Sequence, residues 1–417
     1  MVIIKTLKKL NHILLILFFL LSLNFFSTKL KEGTYRAVLL LHAENNIELP
    51  FNFDVKYKGK KPIIIIKNAD ERITVDEIII KGDSINFKMP VFDTEFKTVL
   101  RNDTLVGVWI NHYRKEKSSI PFKAVYNQTN RFNFVPGKAN PYFEGNWEVT
   151  FSPNTNDSSK AIGVFHHVEQ TDYLTGTFLT ETGDYRYLEG MKSGNKLYLS
   201  CFDGSHAFLF IAEHNGSRLV NGKFYSGAHW QESWVAKQNP NFKLRNADEI
   251  TFLKNKEDKL NFSFLNLDKK IISITDKKYE NKPLVIQVMG SWCPNCMDES
   301  AYLSGIYKQY NLKGLEIIAL AFEKTTDYTT AVKQVTRLKN KFKIDYEILI
   351  TGQTGKDKAS ETLSALNKIS AFPTTLFLNK QHQIVKITTG FSGPATGKDY
   401  ETFKQQTEAL ILSLFKN

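Results

Sequence analysis

Residues 283–300 read "PLVIQVMGSWCPNCMDES". An unbroken apolar run up to Met289 has the character of a strand buried on both faces. It feeds a helix that opens at two cysteines, Cys293 and Cys296, set three apart behind Trp292. The whole chain holds only three cysteines in 417 residues. Two of them within one helical turn admit three chemistries: a structural disulfide, half of a zinc site, or a redox couple.

Working outward, strand and helix alternate on the C-terminal side. "LEIIALAF" (315–322) is a second buried strand, followed by helical "DYTTAVKQVTRLKNKF" (327–342). "YEILITG" (346–352) and helical "KASETLSALNKI" (358–369) come next. "TTLFLN" and "QIVKITTGF" then form an antiparallel hairpin, and an amphipathic helix runs from Tyr400 to Phe415. This is an α/β sheet with an antiparallel edge.

On the N-terminal side the period changes. From Gly33 to Trp234 the chain reads as short alternating β segments punctuated by Gly, Asn and Asp, with no long helical pattern. "EGTYRAVLLL" from Glu32 is similar to "EGNWEVTFSP" from Glu144. The stretch "GDSINFKMP" from Gly82 likewise aligns with "GNKLYLSCF" from Gly194. Gly33 to Gly145 and Gly82 to Gly194 share one offset of 112 residues, so an internal duplication is expected, built as two similar antiparallel sheets in a sandwich or barrel. The expected division is a leader at 1–28, β repeats at 29–135 and 144–237, a polar linker at 238–259 and the α/β domain at 260–417.

Lys5, Lys8 and Lys9 precede the apolar run "ILLILFFLLSLNFF" (13–26). That run is short for a spanning helix, which needs about 20 residues, and fits a secretory signal or an N-terminal membrane tether. Export to the periplasm or cell envelope is expected. The net charge of +12 is dispersed among acidic neighbours, and no motif points to nucleic acid. Cys201 stands alone and far from the pair, as a small buried hydrophobe, so no disulfide framework underlies the fold. Five histidines of the second repeat (His166, His167, His206, His214 and His229) lack ligand-like spacing, and no metal is expected. "TETGDYRYLEG" (180–190) reads as a hairpin rather than a ligand site.

"WCPNC" behind a buried strand, with "FPTTLFLN" at 372–379, resembles the thioredoxin superfamily. More narrowly, residues 260–417 resemble the TlpA/ResA-like thiol-disulfide oxidoreductases of the bacterial envelope. The hairpin "FSFLNLDKKIISITD" (262–276) before the core strand, and the extra structure ahead of the Pro-containing loop, are similar to that family. The resemblance implies a thioredoxin-like fold, a Cys-Pro-Asn-Cys site without organic cofactor, a membrane thiol donor and disulfide-bearing envelope proteins as substrates. It also implies a cis Pro373, with Phe372 and Trp292 shaping the substrate groove. For the β-rich half there is no functional resemblance.

The chemistry agrees with that resemblance. Cys293 at a helix N-terminus favours a thiolate, which makes it the attacking nucleophile and Cys296 the resolving thiol. A zinc site would need a second ligand pair nearby, and a static disulfide across two residues would constrain little of the unfolded chain. Gln287 stands where thioredoxins carry a buried carboxylate. Glu299, on the helical face of both cysteines, matches the acid that the family places beneath its disulfide, whereas Asp298 is expected to have little influence on the couple. A thiol peroxidase of the AhpC/TSA type would share the fold, but "MGSWCPNC" lacks the Thr of its motif. The other alternative is a ligand-binding β module with a redox docking domain.

Overall fold

The computed structural model describes residues 29–42, 44–133, 142–168 and 171–416. The expected leader at 1–28 lies outside them, as does the stretch 134–141 at the junction of the two β repeats. No helix among the described residues is long and apolar enough to cross a membrane.

Two nine-stranded antiparallel sheets precede a seven-stranded mixed sheet. The alternation that predicts strands has a direct counterpart in burial. In Thr94–Arg101, Thr94, Phe96, Thr98 and Leu100 face inward and the intervening residues face out. Both nine-stranded sheets are meanders in which the first strand of a repeat also pairs with its last. Gly33–His42 pairs with Ile47–Lys58 and Ser119–Tyr126, while Gly145–Phe151 pairs with Ser159–His167 and Trp230–Gln238. The second sheet closes into a barrel, because Tyr173–Thr180 pairs with both Ser159–His167 and Leu188–Ser193. The first stays open between Glu71–Val75 and Ile78–Lys81. Gly82 and Gly194 occupy equivalent hairpin turns, with φ of 57° and 59°. This left-handed region costs glycine little.

Each sheet curls around an aromatic core. In the second, Phe210 stacks on Phe224 at 4.3 Å, with Phe178 at 4.5 Å on its other side. In the first, Phe96 meets Phe122 at 4.7 Å, and Phe202 of the second repeat stacks on Phe51 at 4.5 Å. Arg131 bridges the repeats from a buried position, donating to Ser200 Oγ at 2.9 Å, Glu189 Oε2 at 3.0 Å and Asn68 Oδ1 at 3.0 Å. The two repeats therefore pack as one β module.

In the mixed sheet, Leu284–Met289 is buried at every position. It runs parallel to Glu316–Ala321 and antiparallel to Thr374–Leu378. Helix α1 (Pro294–Tyr310) follows the central strand, α2 (Tyr328–Phe342) and α3 (Gly355–Thr362) precede the hairpin, and α4 (Lys398–Leu414) ends the chain. The periodic pattern at 358–369 overreached, since α3 stops at Thr362. The linker also differs from expectation. Ile250 and Thr251 are buried, and Leu253 bridges to Leu366. Two apolar residues inside a polar stretch dock its second half onto the α/β domain.

Candidate redox site

Pro294 opens α1, where its fixed φ suits a first helical position and its missing N–H is no loss. Cys293 caps the helix, and its Sγ accepts the Cys296 N–H at 3.2 Å. It is joined to Cys296 as a disulfide, with Cα atoms 5.2 Å apart. Cys293 is 7% exposed and Cys296 fully buried, so only the first can meet a partner. A backbone N–H of the first turn thus points at Cys293 Sγ from the positive end of the helix, which is the arrangement that lowers a thiol pKa. Phe372–Pro373 is a cis peptide, and Phe372 O lies 3.4 Å from Cys293 Sγ. Trp292 meets the Phe372 ring edge-on at 5.8 Å and donates through Nε1 to Phe322 O at 3.0 Å.

Glu299, one helical turn beyond Cys296, turns inward and is 2% exposed. Gln287 and Thr375 are register partners on adjacent strands, so their side chains share one face of the sheet. Both donate to Glu299, Gln287 Nε2 at 2.8 Å and Thr375 Oγ1 at 2.8 Å. Burial pushes the Glu299 carboxyl up to about 7 despite those two donors, and no cation among the described residues opposes it. A second acid, Glu323, accepts from Ser291 N at 2.8 Å and Ser291 Oγ at 2.7 Å, which fixes the loop entering α1. Burial raises its carboxyl to about 7 as well. The sequence signal for it was an acid directly after an apolar strand, "ALAFE".

Asp298 is largely buried as well, in a cluster of its own. Its carboxylate is bonded to Arg186 of the β module, which also engages Glu71 and reaches Pro294 O at 3.3 Å. Asp203 lies 3.1 Å from Arg186 Nε as an ion pair, without the alignment of a hydrogen bond. One guanidinium, 1% exposed, thus ties the first repeat, the second repeat and the first turn of α1. Burial raises the Asp298 carboxyl to about 7, and the surplus of carboxylates over the single cation offsets what Arg186 lowers. The stretch 180–190, expected to be a hairpin rather than a ligand site, does turn back on itself at Thr180–Gly183, and through Arg186 it is also where the β module grips the redox helix. Asn295 Nδ2 adds to that grip by donating to Asp184 O at 3.2 Å.

Replacing Arg186 with Met leaves three carboxylates without their shared cation in a buried site. The expected cost is about 3–5 kcal/mol, read as a lower midpoint in urea unfolding, and Lys cannot restore a three-way planar contact. An unchanged midpoint would mean that the cluster holds nothing together.

A cleft of about 790 Å³ lies over Cys293, with Trp292, Phe372 and Lys324 on the redox side. Tyr113, Arg114, Thr182 and His206 of the β module form the facing wall. The structure therefore brings together Trp292, Cys293 and Phe372 at an open surface, with Cys296, Pro373 and Glu299 behind them. Cys201 is fully buried and carries no disulfide. Among the described residues no cluster of His, Cys, Asp and Glu could hold a metal ion.

Residues 239–403 match the Redoxin family model. The chain is 27% identical over 134 residues to the thiol-disulfide oxidoreductase ResA of Halalkalibacterium halodurans, covering 32% of this chain and 68% of that protein. It is 25% identical over 140 residues to ResA of Bacillus subtilis, covering 34% of this chain and 70% of that one. A solved secreted thiol-disulfide isomerase from Corynebacterium glutamicum aligns with 43% of this chain and 96% of its own, at 18% identity and a TM-score of 0.31. The C-terminal region that follows the β module is a thioredoxin-superfamily segment of the ResA/TlpA-like type.

Proposed function

We propose that this protein is a thiol-disulfide oxidoreductase that reduces disulfides in exported proteins of the cell envelope. The observation that carries the reading is Cys293 itself: the cap of a helix, at the floor of an open cleft, against the Phe372–Pro373 loop, with a buried Cys296 one turn behind. The Cys293 thiolate attacks one sulfur of a substrate disulfide. A mixed disulfide forms, and the departing substrate thiolate takes a proton. Cys296, deprotonated, then attacks Cys293 Sγ, releases the second substrate thiol and closes the internal disulfide. Two electrons and two protons pass to the substrate, and a dithiol donor at the membrane restores the pair. The step needs no organic cofactor.

With dithiothreitol as donor, the purified protein is expected to reduce a protein disulfide catalytically and to leave hydroperoxide unconsumed. Rapid peroxide consumption without disulfide reduction would replace this reading by a thiol peroxidase.

A further inference from the structure

We propose that the β module is the second wall of the substrate groove, and that it selects disulfides carried on acidic peptide segments. This rests on the reading of Cys293–Cys296 as a reductase couple. The cleft's volume, about 790 Å³, takes a few residues of extended chain and is too small for a folded domain. Its lining carries three cations, Arg114, Lys160 and Lys324, against the carboxylates of Glu181 and Asp184. Arg114, on the β-module wall, has no ion-pair partner among the described residues, and burial lowers its pKa. Across from it, Lys324 Nζ sits 3.8 Å over the Trp292 ring, beside the nucleophile. Burial lowers the Lys324 pKa and Arg114 lowers it further, with Glu323 opposing.

The carboxylates at or near the cleft are already engaged. Glu181 pairs with Arg245 at 2.9 Å. Asp184 accepts from the backbone N–H groups of Arg186 and Gly393, and Glu323 accepts from Ser291. Lys160, a third cation of the lining, has Glu148 at 2.9 Å. Two like charges that line the same cleft as the nucleophile, Arg114 partly buried and Lys324 exposed, repel each other and lack a counter-charge that an acidic substrate would bring. A carboxylate seated between them removes their repulsion and holds the neighbouring cystine over Cys293 Sγ.

The test uses three disulfide peptides of equal length with acidic, neutral or basic flanks. The full chain supplies the catalyst, and each rate is divided by the rate with dithiothreitol alone. At low salt the acidic peptide is expected to exceed the basic one by about tenfold or more, within the range of electrostatic steering. The ratio is expected to shrink toward one at molar salt, where the Debye length falls to about 3 Å, and in Arg114→Ala and Lys324→Gln. Equal rates for the acidic and basic peptides, or a salt-insensitive ratio, overturn the inference. Continued reduction of the neutral peptide in that case leaves the reductase reading standing. Failure with all three peptides removes both.

Discussion

Cys293→Ser reduces catalysed disulfide exchange to the uncatalysed background, whereas Cys296→Ser halts it midway with the substrate still bonded to Cys293. The asymmetry follows from where the two sulfurs sit. Cys293, the cap of α1, keeps 7% of its surface and is the sulfur a substrate can reach; Cys296 has no accessible surface and can meet only Cys293. A serine hydroxyl at the cap still accepts the Cys296 N–H, so the first variant keeps its helix and loses its nucleophile. In the second variant the cap thiolate survives and attacks, but the resolving thiol is gone. Non-reducing electrophoresis of Cys296→Ser incubated with a disulfide substrate is expected to show a thiol-sensitive adduct, absent from the double variant. If the adduct forms on Cys296 in Cys293→Ser instead, the roles are reversed and the burial argument fails.

How much of this was legible in the sequence depends on the range of the interaction. Strands announce themselves through local alternation, as Thr94–Arg101 does, and the redox couple through three-residue spacing. The duplication was visible because Gly82 and Gly194 need the same left-handed turn. Glu299 was visible because helical period three to four places it beneath the cysteines. The Arg186 cluster was not. It draws Glu71, Asp203 and Asp298 together from three separate elements. A lone arginine in a hairpin has no period, and nothing local distinguishes it from a solvated charge. The same holds for Arg114 and Lys324, which share a cleft only because the β module packs onto the redox helix. The linker has a different cause: Ile250 and Leu253 sit in a stretch whose charged and amide residues outnumber its apolar ones, and composition alone does not single out the two that dock.

Glu299→Gln slows resolution of the mixed disulfide on the order of a hundredfold, the lower end of what a positioned proton acceptor contributes. The carboxyl lies one helical turn beyond Cys296, is held by Gln287 and Thr375, and titrates near 7 because burial disfavours its charge. A base with that pKa can take the Cys296 proton at neutral pH, and an amide cannot. The variant also separates this role from a merely structural one through two readouts. Removing a nearby negative charge favours the Cys293 thiolate, so its pKa falls and the couple becomes more oxidising in a glutathione equilibration.

Stability moves in a fixed direction as well. The folded-state pKa lies above that of an unfolded glutamate, about 4.3, so the folded form binds the extra proton between those values. Stability from this group is complete below about pH 4 and is lost as pH rises through 7, amounting to roughly 4 kcal/mol by pH 8. Asp298 and Glu323 are raised by burial in the same direction, so the wild-type curve sums all three groups. The difference between wild type and Glu299→Gln isolates one of them, because glutamine cannot titrate. Denaturant midpoints at pH 5 and pH 8 are expected to converge in the variant relative to wild type, with pH 8 gaining. If resolution rate, potential and the pH 5-to-8 midpoint difference all stay at wild-type values, Glu299 neither holds the proton nor feels the couple, and resolution runs through solvent.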